Sequence, residues 1–494
     1  MAFNSFHFLV FFPIVVALYY AIPKIVRPYW LLIASYYFYM CWNAKYAILI
    51  AASTLITYLS GIFLGQTTQQ KKRKLIVALS FVINIGILIM FKYWNFALDN
   101  FNKVLGILHI SAVTSPFSFV LPVGISFYTF QALSYTVDVY RGDIKPEKNF
   151  IKYALFVSFF PQLVAGPIER SGNLLRQINE CDKKNTFNYD KFVSGFGLMV
   201  WGMFMKMVIA DRVSIFVDGA FGSVHAIGTT EAILAAIGFS IQIYCDFGGY
   251  SAIAIGAARV MGFDLMENFN TPYFAESIQD FWRRWHISLS TWFKDYLYIP
   301  LGGSRCSVIK KYRNIMITFL TSGLWHGAAW TYVIWGGIHG IYQIVGDRLK
   351  PVKNKVNSLL SVNDRNFSFK AGRIITTFLL TAFAWIFFRA DSFDNAISFI
   401  KVMFTKYNPW VLFDGSIYTL GLDDKEWHVL LVAIIVLIVA DVIRYVKGID
   451  VGVFLLGQNT WFRWIVLIAL IVACAVYGEY GINFDSAQFI YFQF

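Results

Sequence analysis

The sequence predicts an all-α polytopic membrane protein, and three observations lead to this fold class. Of its 494 residues, 57% are hydrophobic and 14% are charged, whereas soluble domains contain about 25% charged residues. The mean hydropathy is +0.57, and long apolar runs recur from one end of the chain to the other. Since a membrane-spanning helix needs about 20 apolar residues, this succession predicts one helical bundle. We therefore expect a single membrane domain over residues 1–494, without an internal repeat.

Successive apolar segments predict about eleven transmembrane helices, with re-entrant and interfacial pieces between them. The first segment follows neither a basic n-region nor a small-residue cleavage site, so we expect a retained span and not a removable signal. The segments expected to cross or enter the membrane are 8–22, 29–42, 46–64, 75–93, 121–140, 150–164, 192–209, 232–244, 315–324, 374–388, 429–443 and 464–477.

Positive charge in the loops predicts the orientation of the chain. The formal net charge is +13, and we interpret the excess of Lys and Arg as positive-inside topology, not as a nucleic-acid-binding surface. The basic run 71–74 is the strongest cytoplasmic marker, and the loop 348–355 is another. These loops place the N-terminus and a short C-terminal tail, residues 478–494, outside the cytoplasm.

Several apolar runs are interrupted by polar residues, glycine and proline. Pro, Gly, Ser, Thr and Gln within Leu121–Gln131 predict a broken or tightly packed helix that lines a cavity, and close helix packing alone is the alternative. The stretch 165–170 predicts a re-entrant turn, and 245–250 predicts a second glycine-rich break, which carries Asp246. Residues 266–299 contain too many charges to span a bilayer, and part of this segment is expected to form an amphipathic interfacial helix.

Two tryptophan-flanked histidines are the strongest candidates for chemistry. His286 follows Trp285 and His326 follows Trp325, and an ionisable ring at membrane depth is a functional candidate by default. The alternative is a histidine whose ring nitrogens are satisfied by backbone or water. A third residue, His339, would lie about 20 Å from His326 on one straight helix. We therefore expect His286 to be the partner of His326, and His339 to be structural.

A buried neutral histidine can remove a proton from a hydroxyl that attacks an activated acyl group. The residues alone do not identify the substrate, because neither a serine nucleophile motif nor a metal-ligand constellation accompanies the histidines. The five cysteines have no metal-ligand spacing, and we predict no metal site.

Two motifs in order resemble the signature of the membrane-bound O-acyltransferases. They are the run Phe281–Trp292, which contains His286, and the run Gly323–Gly327, which contains His326. The similarity is to the bacterial branch for alginate and peptidoglycan O-acetylation, and it covers nearly the whole chain. Further matching stretches are 121–131, 159–170, 244–250, 268–273 and 298–303.

The resemblance implies a helical bundle around a central funnel in a bacterial cytoplasmic (inner) membrane. It implies that His326 is the catalytic general base and that His286 occupies a second, more variable polar position. The donor would be acetyl-CoA or an acyl-carrier thioester, with no permanently bound cofactor. The acetyl group would cross the membrane to an extracytoplasmic SGNH, esterase-like acetyltransferase, which places it on a cell-envelope polysaccharide.

Further candidate residues follow from this interpretation. Tyr491 near the C-terminus resembles the tyrosine of short aromatic motifs that relay an acyl group, although an aromatic interfacial anchor is the alternative. Arg283 and Arg284 are candidates for attracting CoA phosphates, and topology alone also explains such charges. The residues expected to line the funnel are Trp325, Asp246, Gln131, Glu169, Arg283 and Arg284.

Two other classes of protein remain open at this point. A lipid or protein O-acyltransferase would use the same chemistry and differ in the molecule that gains the acyl group. A transporter would also contain broken helices and buried charges, although the absence of a detectable repeat and the paired histidine motifs weigh against it.

Overall fold

A computed structural model describes residues 1–115, 121–182, 187–359 and 366–480, and all regular structure in these ranges is helical. The chain packs as two compact units, one formed by Met1–Gly195 with Ala257–Met266 and the other by Phe196–Gly256 with Glu267–Phe494. The all-α class predicted from the sequence is thus confirmed, whereas the single-domain organisation stays a prediction.

The helices up to the start of the second unit are short or of moderate length. They are α1 (Phe6–Ala21), α2 (Arg27–Asn43), α3 (Ala47–Gln66), α4 (Gln70–Leu88), α5 (Trp94–Ile107), α6 (Ile125–Arg141), α7 (Phe150–Ser158), α8 (Phe160–Leu163), α9 (Arg176–Glu180) and α10 (Tyr189–Phe204).

The helices that follow include the longest that the described ranges contain. They are α11 (Asp211–Gly222), α12 (Thr229–Val260), α13 (Ile278–Arg284), α14 (Ile287–Phe293), α15 (Val308–His326), α16 (Trp330–Leu359), α17 (Phe367–Arg389), α18 (Phe393–Thr405), α19 (Asp424–Lys447), α20 (Val451–Leu456) and α21 (Thr460–Tyr477).

Within the described ranges, seven helical stretches are long and apolar enough to cross a membrane. The apolar helix α1 is shorter than this length requirement. The expected number of about eleven therefore stays a prediction. The seven stretches are Lys24–Gln66, Gln70–Ile107, Tyr189–Gly222, Thr229–Val260, Phe367–Arg389, Asp424–Lys447 and Thr460–Tyr477.

Buried polar side chains join the helices of the first unit. The Ser53 hydroxyl donates to Asn84 Oδ1 at 2.6 Å, which connects α3 to α4. The Tyr153 hydroxyl donates to Thr57 Oγ1 at 2.7 Å, which connects α7 to α3. Since an unsatisfied polar group is costly in an apolar interior, such pairs fix the register of neighbouring helices.

Only the second part of the run Leu121–Gln131 is helical, and it forms the start of α6 (Ile125–Arg141). Gly124 adopts φ +75°, and α6 then runs unbroken to Arg141. A side chain at Gly124 would place its Cβ 2.7 Å from the carbonyl oxygen of Leu163. The segment before α6 is therefore closely packed, and a cavity lined by α6 stays a prediction.

The predicted break at 245–250 is wrong, because α12 is continuous from Thr229 to Val260. Its glycines permit a close approach of two helices instead. A Cβ at Gly249 would lie 2.8 Å from the carbonyl oxygen of Gly202 on α10, and a Cβ at Gly202 would lie 2.5 Å from the carbonyl oxygen of Gly249. Small residues at such crossings bring helix backbones together, and they do not interrupt either helix.

Candidate active site

His326 is the last residue of α15, at the tip of a tight hairpin with α16. The two helices approach closely because Gly323 on α15 faces the backbone of α16, and Gly336 on α16 faces the backbone of α15. A Cβ at Gly323 would lie 2.2 Å from the carbonyl oxygen of Tyr332, and a Cβ at Gly336 would lie 2.3 Å from that of Phe319. The glycines therefore position the helix end that carries His326.

A substitution pair on α16 tests this crossing. We expect Gly336→Ala to lower the free energy of unfolding by about 1–3 kcal/mol, because the new methyl group overlaps a backbone oxygen that cannot move aside easily. The adjacent Gly337→Ala is the control, since its Cβ would make an ordinary contact of 3.5 Å with Leu320. Thermal unfolding in detergent compares the two, and equal melting temperatures would contradict the role given to Gly336.

His286 lies between the short helices α13 and α14 and adopts a left-handed backbone conformation with φ +42°. Such a conformation is uncommon for a residue other than glycine and has to be held by its surroundings. The amide of Ile287 donates to the carbonyl of Asn268 at 2.9 Å, and the amide of Asn270 donates to the carbonyl of Arg284 at 2.9 Å. The segment around His286 is thereby fixed against the loop that follows α12.

The structure brings the rings of His286 and His326 together. Their centroids are 6.3 Å apart, and both side chains are buried. Trp325 lies 5.0 Å from His326 and 6.0 Å from His286, and Phe247 lies 4.7 Å from His286. This is the pairing expected from the sequence. The two residues come from segments that are 40 positions apart and share one apolar, aromatic environment.

His339 lies on a different helix from His326, so the straight-helix geometry assumed from the sequence is wrong. Its Nδ1 accepts a hydrogen bond from Trp282 Nε1 at 3.2 Å. The Trp335 ring contacts both His339 and His326, with centroid distances of 5.1 and 5.0 Å. His339 is fully buried among aromatic rings, an environment that favours the structural interpretation.

Three aromatic residues without a role in the sequence analysis complete this environment. Trp335 and Trp385 stack at 5.4 Å, and Phe388 lies 5.4 Å from His326 and 5.1 Å from Trp335. Trp385 and Phe388 belong to α17, where they read as ordinary members of an apolar span. Only the three-dimensional packing shows that they surround the histidine.

Asp246 belongs to a buried cluster of three charged side chains. Lys206 Nζ lies 2.7 Å from Asp246 Oδ1 and 2.6 Å from Asp211 Oδ1. Lys206 sits in a π-helical segment, Met205–Ala210, between α10 and α11. The sequence analysis did not identify Lys206, because a single lysine in an apolar run gives no sign of its distant partners.

The two arginines of the first motif differ in their surroundings. Arg283 is exposed. Arg284 pairs with Asp280 at 2.9 Å, donates to Thr271 Oγ1 at 3.2 Å and lies over the ring of Tyr445. The contacts of Arg284 are those of a structural residue, and a role of either arginine toward a donor stays a prediction.

Gln131 and Glu169, in the first unit, stabilise its backbone. Gln131 Nε2 donates to the carbonyl of Phe156 at 2.6 Å, close to the end of α7. Glu169 accepts from the amide of Met266 and, at 2.8 Å, from Asn173. Their predicted place in a funnel stays a prediction, and Tyr491 lies outside the described residues.

Comparison with known proteins identifies the class of this chain. A family model described as the membrane-bound O-acyltransferase family matches residues 35–388. "Probable alginate O-acetylase AlgI" of Pseudomonas aeruginosa is 40% identical over 419 residues, which cover 83% of this chain and 76% of the relative. The "Peptidoglycan O-acetyltransferase" of Helicobacter pylori is 36% identical over 406 residues, covering 76% and 73%.

A more distant relative is the "Teichoic acid D-alanyltransferase" of Bacillus subtilis, which is 28% identical over 233 residues and covers 46% of this chain and 59% of its own length. The chain belongs to the membrane-bound O-acyltransferase family. It is a membrane enzyme that transfers acyl groups, and the resemblance stated from its two motifs is thereby confirmed.

Proposed function

We propose that this enzyme takes an acetyl group from a cytoplasmic thioester, acetyl-CoA or an acyl carrier, and passes it across the membrane for O-acetylation of a cell-envelope polysaccharide. The observation that carries the proposal is the buried pair His286 and His326 in a chain of this acyltransferase family. The relatives named for alginate and peptidoglycan acetylation make these glycans the first substrates to test.

His326 acts as the general base in this mechanism. Its ring removes the proton of the acceptor hydroxyl while the hydroxyl oxygen forms a bond to the thioester carbonyl carbon. The tetrahedral intermediate then collapses, the carbon–sulfur bond breaks, and the proton on His326 passes to the leaving thiolate. The products are an acetyl ester and a free thiol, and the histidine returns to its neutral state. His286 aligns the acceptor or exchanges a proton beside it.

About eleven spans and their re-entrant pieces enclose a funnel that is open to both faces of a bacterial cytoplasmic membrane, with both chain termini outside. The donor enters from the basic cytoplasmic face, and an extracytoplasmic SGNH, esterase-like acetyltransferase receives the acetyl group. Positive-inside loops and the family membership support this arrangement.

Tyr491 is proposed to carry the acetyl group between the two sides as a tyrosyl ester. A phenol has a pKa near 10 in water, and a neighbouring base such as His326 would increase its nucleophilicity. The ester bond would form at the phenolic oxygen and break when the final acceptor hydroxyl attacks the same carbonyl carbon. Acetyl transfer directly to a separate acceptor is the alternative without a relay.

The experiment measures base-labile acetate on purified peptidoglycan and exopolysaccharide from cells with and without this chain. We expect acetate on one glycan to require the chain, and labelled acetyl-CoA to supply it in membranes. A C-terminal peptide with one added acetyl mass, absent from Tyr491→Phe, supports the relay. An acyl group found only on lipid or protein, or solute uptake without acyl transfer, contradicts the polysaccharide proposal.

A further inference from the structure

Asn268 lies at the centre of a hydrogen-bond network around His286, in the loop that follows α12. Its side chain is fully buried. Asn268 Oδ1 lies 3.1 Å from His286 Nδ1 and accepts hydrogen bonds from the hydroxyl and the amide of Ser288 at 2.8 and 3.3 Å. Asn268 Nδ2 donates to the hydroxyl of Ser251 on α12 at 3.0 Å. One amide therefore connects α12, the loop and α14.

These contacts determine which way the Asn268 amide faces. A backbone N–H can only donate, so the atom that faces the amide of Ser288 has to be the carbonyl oxygen and not the NH2 group. The same oxygen faces His286 Nδ1. Because this oxygen has no proton to give, the hydrogen on this contact belongs to the imidazole, and Nδ1 is the protonated nitrogen.

The tautomer of His286 follows from this assignment. A neutral imidazole with a proton on Nδ1 presents a lone pair at Nε2. In its resting state His286 is therefore able to accept a hydrogen bond through Nε2, and its ring centroid lies 6.3 Å from that of His326. Asn268 also holds the backbone of His286 in place. His286 adopts φ +42°, and the amide of the next residue, Ile287, donates to the backbone carbonyl of Asn268.

We propose that Asn268 is a positioning residue that fixes His286 as the Nδ1–H tautomer and so makes its Nε2 a hydrogen-bond acceptor for the acyl-accepting hydroxyl. The part that concerns the hydroxyl rests on the proposed function. The acceptor hydroxyl donates to His286 Nε2 while it binds, which orients its oxygen; it then rotates about its carbon–oxygen bond, so that the same proton points to His326 and is removed there as the new carbon–oxygen bond forms. The part that concerns the tautomer stands on the hydrogen-bond geometry alone.

Two variants of Asn268 separate positioning from simple packing. Asn268→Leu removes the acceptor, and we expect the acetyl-transfer rate per folded molecule to fall about 10–100-fold, the range found for residues that hold the ring of a metal-binding histidine in place. Asn268→Asp keeps an acceptor oxygen but adds a negative charge, which favours the doubly protonated ring. We expect Asn268→Asp to be active and the acidic limb of its pH–rate profile to move to higher pH by about one unit or more.

Asn84→Asp is the matched control. Asn84 is also a buried asparagine, with Ser53 and Ser80 as partners, but it belongs to the first unit. We expect the acidic limb of the pH–rate profile of Asn84→Asp to stay at the wild-type pH, whatever effect this substitution has on protein yield. An Asn268→Asp profile that matches the wild type, or an Asn268→Leu enzyme with a normal rate per folded molecule, would overturn the positioning role.

Solid-state NMR of histidine labelled with 15N in its ring gives a readout that does not depend on activity. The signals of His286 are assigned by their loss in His286→Gln. We expect the protonated nitrogen to be Nδ1 in the wild type and this preference to be lost in Asn268→Leu. A protonated Nε2 in the wild type would refute the tautomer. If acetyl transfer is absent but Nδ1 is protonated, the proposed function fails and the tautomer stands.

Discussion

Replacing His326 by alanine is expected to reduce the acetyl-transfer rate by about 10²–10⁴-fold, because this range is typical for the loss of a general base. The ring lies at the end of α15, is buried and is 6.3 Å from the ring of His286. His326→Gln retains much of the side-chain volume but cannot take up a proton. Both variants should therefore transfer acetyl groups at the reduced rate, although each protein reaches its normal level in the membrane.

The measurement is the initial rate of acetyl transfer from a labelled thioester in membranes that contain equal amounts of each protein. His339→Gln is the control, because His339 is also a buried histidine but is packed against Trp282 and Trp335. We expect it to lower thermal stability and to keep its rate per folded molecule within a few-fold of the wild type. A fully active His326→Gln, or an inactive but well-folded His339→Gln, would mean that the base has been assigned to the wrong histidine.

The sequence predicts the two histidines because the cost of placing an imidazole in an apolar span marks each of them individually. It also predicts their proximity, although the argument against His339 assumed one straight helix and the structure places His326 and His339 on different helices. The hairpin at Gly323 and Gly336 shows why the geometry differs in detail: the chain turns directly after His326, and a glycine on each helix brings the two helices close together.

Other features depend on contacts that no local pattern shows. Gly249 reads as a helix break, yet it serves the close packing against Gly202, because glycine lowers helix stability by only about 1 kcal/mol and packing in a bundle compensates for this. Asn268 lies within one of the further stretches that match the family, but its hydrogen-bond network is visible only when Ser251, Ser288 and His286 surround it. The pairing of Lys206 is equally invisible in the sequence.

Removing the charge of Lys206 is expected to destabilise the protein by about 3–5 kcal/mol, the range observed when one partner of a buried ion pair is lost. Lys206 Nζ lies within 2.7 Å of a carboxylate oxygen on Asp211 and on Asp246. In Lys206→Met the two carboxylates lose the cation that they share. The π-helical segment around Lys206 and the crossing at Gly202 should open at a lower temperature, and membrane levels should fall.

A charge-balancing variant and a surface variant test this explanation. Adding Asp211→Asn and Asp246→Asn to Lys206→Met removes the uncompensated charge, so we expect part of the lost stability to return.

Lys311→Met is the control, because Lys311 pairs with Asp347 at the same distance, 2.7 Å, but both side chains are partly exposed. Solvent screens such a pair, and its loss should cost less than about 1 kcal/mol. Thermal unfolding in detergent measures all four proteins. Equal losses for Lys206→Met and Lys311→Met, or a triple variant less stable than Lys206→Met, would show that Lys206 acts through packing and not through its charge.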